Sequence, residues 1–169
     1  MESSFKDVLK SLNEYAPVPW NMIPDLGLYM DQVITFITRM YQPLYGDATE
    51  GYLSSSMINN YVKAKLIPRP VGKKYNREQI ALLAMIVALK QVASIEDVRK
   101  MITPADGTTV EQLYTLFCQR LKSAIAALLE DDENQNSELP PAMNFAIVSS
   151  GYRAGCAAML KVDTNQKSE

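Results

Sequence analysis

Ten consecutive apolar residues, Ile80 to Leu89, stop abruptly at Lys90, and this run constrains the fold more than any other feature of the chain. A bilayer crossing needs roughly 20 such residues, so a run of this length belongs to a helix buried in a protein core. Asn76-Arg77-Glu78-Gln79 signs its start. This is a capping box, in which Asn76 and Gln79 satisfy each other's backbone N–H groups. The helix is expected to run to about Val92.

The rest of the chain supplies further helices, punctuated mainly by proline. At 169 residues, one domain, or one domain with an appended helical unit, is expected. A first helix is predicted from about Ser4, with Asp7 in its first turn, to about Tyr15. Pro17, Pro19 and Pro24 then keep the chain extended around Trp20. Met30, Val33, Ile34, Ile37 and Tyr41 recur at helical spacing and predict a helix over Leu28 to Tyr41, before a loop marked by Pro43, Gly46 and Gly51. A short helix is predicted over Ser55 to Leu66, and Pro68 and Pro70 stop it from continuing. Ser94 caps a helix to Ile102, Thr109 with Gln112 starts one to Glu130, and Pro140-Pro141 opens the last, to about Val162. Strand-like alternation is almost absent, so any strand is a short hairpin around Lys65–Tyr75. The expectation is a mostly α protein. MESSFKDVLKSL has no apolar signal core, so a cytoplasmic location is expected, without membrane attachment.

Composition narrows the chemistry sharply. The chain has no histidine and only two cysteines, Cys118 and Cys156. That removes His-based zinc sites, Ser-His and Cys-His pairs, and a disulfide framework. Gly46 to Gly51 has the glycine spacing of a phosphate loop, but Tyr52-Leu53 stands where Lys and Ser or Thr are required. The acidic run Glu130 to Glu133 lacks the alternation of a calcium loop and reads as a helix end followed by a linker. Both cysteines have apolar neighbours and read as buried small hydrophobes. No enzyme, cofactor or metal site is expected.

Charge is segregated in a way that the net value of −2 conceals. Residues 1–53 carry −4, 54–102 carry +6, 103–138 carry −5 and 139–169 carry +1. Within the basic stretch, the short helix has two opposed faces. Met57, Ile58, Tyr61 and Val62 fall on one side of the wheel, and Ser56, Asn59, Asn60 and Lys63 on the other. Adjacent Asn residues are poor helix formers, and an ordinary solvated face carries Glu, Lys and Gln instead. Asn pairs with adenine through two hydrogen bonds, and Lys or Ser reaches guanine or phosphate. Arg69, Lys73, Lys74 and Arg77 follow on a turn that would flank a groove. Such a helix beside a basic wing has the composition of a DNA reader; the competing reading is a solvated Asn pair on a surface helix.

"SSMINNYVKAKLIPRP", "KKYNREQIALLAMIVALKQ" and "SIEDVRKMI" resemble the winged helix-turn-helix of MerR-type regulators. Ala64-Lys65-Leu66-Ile67 matches the step that ends the recognition helix, with Lys65 where Gly is usual. Lys73-Lys74-Tyr75 resembles the wing, with Lys for Arg. More closely, "IPDLGLYMDQVITFI" together with "SMINNYVKAKLIPRP" and "KKYNREQIA" resembles the bacterial family known as domain of unknown function 1836, over about Trp20 to Ile102. The chain departs from the MerR pattern in the twelve residues Gln42 to Leu53, which stand where a short turn is usual. It also lacks the sustained heptads of a dimerising coiled coil.

These readings imply four segments: an N-terminal helix and linker over 1–19, a winged helix-turn-helix over 20–103, a helical hairpin over 104–162 and a disordered tail over 163–169. The expected partner is double-stranded DNA. Ser56, Asn59, Asn60 and Lys63 would face the major groove, Arg69, Lys73, Lys74 and Arg77 would hold phosphates, and Tyr75 would pin the wing. The small residues from Gly151 to Ala158 would let the last helix pair with a neighbour or with a second chain, giving a homodimer. The alternative is a protein-interaction module on the same scaffold, which the acidic flanks favour because they would repel DNA.

Overall fold

The computed structural model describes residues 5–46, 51–130 and 138–166. The elements in order are α1 (Phe5–Asn13), a 3-10 turn (Trp20–Met22), β1 (Leu28–Tyr29), α2 (Met30–Tyr45), α3 (Ser55–Lys63), β2 (Lys74–Tyr75), α4 (Arg77–Leu89), α5 (Ile95–Ile102), α6 (Val110–Glu130) and α7 (Pro141–Gln166). The protein is mostly helical, as its sequence leads one to expect.

The apolar run forms the hub of the fold. Every residue of α4 from Gln79 to Val87 is buried, and α2, α5 and α6 pack around the helix. Buried residues at helical spacing from α2, α3 and α5 complete the core cluster. Val33, Ile37, Met40 and Tyr41 come from α2, Ile58 and Tyr61 from α3, and Val98 and Ile102 from α5. Fully burying one such aliphatic side chain stabilises the fold by about 1.5–3 kcal/mol. Two core tyrosines find partners across elements, whereas the buried Tyr15 hydroxyl has none among the described residues. The Tyr41 hydroxyl donates to the Ala84 carbonyl at 2.8 Å, and the Tyr114 hydroxyl donates to the Val18 carbonyl at 2.7 Å. The latter ties the start of α6 to the extended segment before Trp20, whose ring lies 6.2 Å from that of Tyr114.

Several expectations change. The expected local hairpin is reduced to one antiparallel bridge, Val71 to Lys74, and the strand partner of β2 is distant: Leu28 pairs with Tyr75 and Tyr29 with Lys74, antiparallel. Leu28 and Tyr29 therefore form a strand, and α2 begins only at Met30. α2 also runs through Pro43 to Tyr45. Its last turn is held by ring packing, with Tyr41 and Tyr45 centroids 5.8 Å apart and Tyr45 and Tyr52 centroids 5.2 Å apart. α4 and α3 end a turn earlier than expected, whereas α7 continues to Gln166, past the predicted start of the tail. The Ser4 cap, the interior of the Gly46–Gly51 loop and the acidic run beyond Glu130 lie outside the described residues.

Candidate nucleic-acid interface

The two faces of α3 separate as its sequence dictates. Ile58 and Tyr61 are buried and Met57 and Val62 half-buried, while Ser56, Asn59, Asn60 and Lys63 are all exposed. The Ser54 side chain caps the helix by accepting from the Met57 N–H at 3.3 Å. Its hydroxyl also lies 3.0 Å from that of Ser56, which draws Ser56 toward the cap. At the other end the chain closes in a Schellman motif: the Leu66 N–H bonds to the Tyr61 carbonyl at 2.9 Å and the Lys65 N–H to the Val62 carbonyl at 3.0 Å. Lys65 takes the left-handed position, φ 58°, where glycine is preferred.

The segment after α3 is anchored from below. Gln79 is the buried polar residue of the core. Its side-chain oxygen accepts from the Asn76 N–H at 2.8 Å, its own N–H bonds to Asn76 Oδ1 at 2.9 Å, and its amide donates to the Pro68 carbonyl at 2.9 Å. One side chain thus completes the cap of α4 and fixes the base of the basic segment. Val71 and Lys74 close a tight turn around Gly72 and Lys73, with the Lys74 N–H bonded to the Val71 carbonyl at 3.0 Å. Gly72 and Lys73 both have positive φ, 56° and 63°, the signature of a two-residue type I′ turn. Tyr75 is buried, and burial raises its phenol pKa. Gly27 lets β1 reach β2, because a Cβ there would stand 2.9 Å from the Lys74 Cβ.

Two clefts meet along this surface. One, of about 500 Å³, is lined by Asn59, Val62, Pro70, Lys73 and Tyr75 with the β1–α2 junction, Tyr29 to Asp31. The other, of about 440 Å³, runs from Val62, Lys63 and Lys65 to Pro68 and Arg69. Val62 belongs to both, so they adjoin. Asn59 and Lys73 therefore share one hollow, and Lys63 and Arg69 share the next. Lys74 is exposed, with its ammonium 5.2 Å from the centre of the Tyr29 ring. Asp31 brings a carboxylate to the first cleft.

Arg77 departs from the expected set. Its Nε donates to the Ile23 carbonyl at 2.8 Å, its guanidinium lies 3.5 Å from Asp25 Oδ2, and it sits 5.7 Å from the Trp20 ring centre. As the first residue of α4 it points back under the Trp20–Gly27 segment, so it braces the fold and leaves the basic surface. Lys65, which stands where glycine is usual and was not among the expected contacts, also lines the second cleft. The β1–α2 junction was not expected either, since nothing local to residues 28–31 marks it as close to the wing.

Elsewhere the chemistry is sparse. Among the described residues no cluster of three or more His, Cys, Asp or Glu is placed to hold a metal ion. Burial pushes the Cys118 thiol up, which keeps it protonated, and it leans on the Val18 carbonyl at 3.8 Å. No helix among the described residues is long and apolar enough to cross a membrane.

Residues 18–117 match the domain of unknown function DUF1836, which is more than half of the chain. The protein belongs to the DUF1836 family. No curated protein and no solved structure matches it. The bounds of the DUF1836 region make physical sense: its first residue, Val18, accepts the hydrogen bond of Tyr114, and Phe117 at its other end lies 6.2 Å from the Tyr114 ring. The DUF1836 region thus closes on itself and takes in the first two turns of α6, beyond the Ile102 at which the sequence resemblance stops. α7 lies outside it.

Proposed function

We propose that this DUF1836 protein binds double-stranded DNA as a sequence-specific transcriptional regulator, through a winged helix-turn-helix of MerR-like type in which α3 is the recognition helix and residues 68–75 are the wing. The observation that carries the reading is the sharing of two adjoining clefts by the polar face of α3 and the basic segment after it. Asn59, Asn60 and Lys63 offer the donors and acceptors that base edges require, and Arg69, Lys73 and Lys74 offer charge for the backbone. Further support comes from the pairing of β1 with β2, which joins the start of α2 to the wing. α2 also packs against α3 as the first helix of such a motif would. With Arg77 assigned to the fold, the proposed contacts are Ser56, Asn59, Asn60, Lys63, Arg69, Lys73 and Lys74.

The reading extends to a homodimer through α7. Between Pro141 and Leu160 this helix carries a single charge, Arg153, and it exposes Met143, Ile147, Tyr152 and Met159. Charge depletion with exposed apolar and aromatic residues is the composition of an interface core. Closed two-fold assembly is the commonest form and would set two α3 helices on half-sites about one helical turn apart.

One experiment addresses both levels: selection of bound sequences from random duplexes, followed by a salt titration on the winner. The expected result is an inverted repeat bound with an affinity that falls steeply with salt. An unrepeated site would overturn the dimer. Duplex binding undetectable at ~50 mM salt would overturn the regulator and favour the protein-interaction module.

A further inference from the structure

Two residues other than glycine have left-handed backbone conformations among the described residues, and both are lysines: Lys65 at φ 58° and Lys73 at φ 63°. They occur in unrelated settings. Lys65 closes the Schellman end of α3, and Lys73 is the second residue of the turn between Val71 and Lys74. Each position suits glycine or asparagine, because a Cβ crowds the backbone there. The folded chain returns little for the strain. Both side chains are exposed, and neither forms a salt bridge among the described residues. Strained backbone of this kind persists where function requires the side chain. Their places agree: Lys73 lines the cleft that holds Asn59, Lys65 lines the one that holds Lys63 and Arg69, and Val62 of α3 lies between.

We propose that Lys65 and Lys73 form a two-point phosphate clamp, one in each of the two clefts that meet at Val62, and that the chain accepts backbone strain at both positions to hold their ammonium groups against the sugar-phosphate backbone of a duplex. The clamp rests on the DNA-binding reading and deepens it. It orients α3 without reading sequence, since a phosphate contact fixes register whatever the bases are. It also accounts for lysine where the helix end would be more stable with glycine.

The test sets fold stability against binding in the full-length protein. Lys65→Gly and Lys73→Gly are compared with the parent in thermal unfolding and in anisotropy titrations of a fluorescent random-sequence duplex over a range of salt. Lys65→Arg, which keeps both charge and strain, serves as the control. Each glycine variant should melt at a higher temperature. Each should also bind more weakly, with the slope of log K against log salt flattened by about 0.9, which amounts to roughly an eightfold loss at about 0.1 M salt. Lys65→Arg should bind like the parent. If the parent binds and the glycine variants bind equally well with unchanged slope, the clamp is overturned and the DNA reading stands. A lowered melting temperature for the glycine variants also overturns it, since the lysines would then serve the fold. Absence of duplex binding by the parent overturns the DNA reading, and the clamp with it.

Discussion

Asn60 shows what a single residue can reveal at this surface. It sits exposed in the middle of α3, and its backbone carbonyl accepts from the Ala64 N–H at 2.8 Å. Its side chain is therefore dispensable to the helix. Replacing it with Ala, a better helix former, should leave the fold unharmed or slightly more stable. In the proposed complex the same change should cost about 1–3 kcal/mol against the preferred base and relax selection at that one step. Repeating the selection with the Asn60→Ala protein checks this; an unchanged consensus bound with unchanged affinity would return Asn60 to the status of a solvated side chain. Because the change removes no charge, the salt dependence should stay as in the parent, which separates base contact from phosphate contact. Arg77 teaches the complementary lesson. From sequence it is one more cation in a basic run, and only the tertiary fold, by bringing Ile23 and Asp25 to within 2.8 and 3.5 Å, shows that its charge is already engaged.

At the scale of elements, the legible features were those decided within one turn of chain. The pairs Asn76 with Gln79, Ser94 with Asp97 and Thr109 with Gln112 all cap helices where expected, because capping is a contact between residues three apart. The opposed faces of α3 follow equally from the pitch of a helix. The β1–β2 pairing was not legible, since two-residue strands have no alternation to read and the partners lie more than forty residues apart. Nor was the continuation of α2 through Pro43, where Tyr45 packs at a tilt against Tyr41 and edge-on against Tyr52. Gln79 joins the two kinds of feature, a local cap that also holds a distant loop through the Pro68 carbonyl. Gln79→Ala should orphan that carbonyl and the Asn76 N–H, both part-buried, at a cost of about 1–3 kcal/mol. Since Pro68 begins the basic segment, duplex affinity should fall by more than the loss of folded protein explains. Urea unfolding alongside anisotropy titration checks both, and a variant that is destabilised yet binds like the parent, per folded molecule, would show the wing to be held by other contacts.

Across the molecule, buried phenols tie helices to their neighbours around the apolar core, and this gives it a characteristic weakness. Tyr41 links α2 to α4 through Ala84, and Tyr114 links α6 to Val18; both are about 1% exposed. Burial raises the pKa of each far above the ordinary phenol value, with nearby tyrosines adding to the effect on Tyr41 and Cys118 to that on Tyr114. The folded state therefore keeps protons that the unfolded chain gives up above pH ~10. The direction follows from linkage. Below that pH both states hold the phenolic proton and the contribution to stability is complete. Above it the unfolded state binds fewer protons, so stability declines as pH rises, by about 1.4 kcal/mol per pH unit for each such tyrosine. With no histidine in the chain, no side chain has an ordinary titration between about pH 5 and 8, so stability should be nearly flat there and collapse on the alkaline side. Unfolding at a series of pH values, followed by tyrosinate absorbance, should show the buried phenols ionising together with the loss of helical signal. Tyr41→Phe should be less stable than the parent by about 0.5–1.5 kcal/mol at neutral pH for its lost hydrogen bond, yet lose stability less steeply above pH ~10, because one proton has been removed from the linkage. Equal alkaline slopes for the parent and Tyr41→Phe would show that the phenol ionises alike in the folded and unfolded chain, contrary to its burial between α2 and α4.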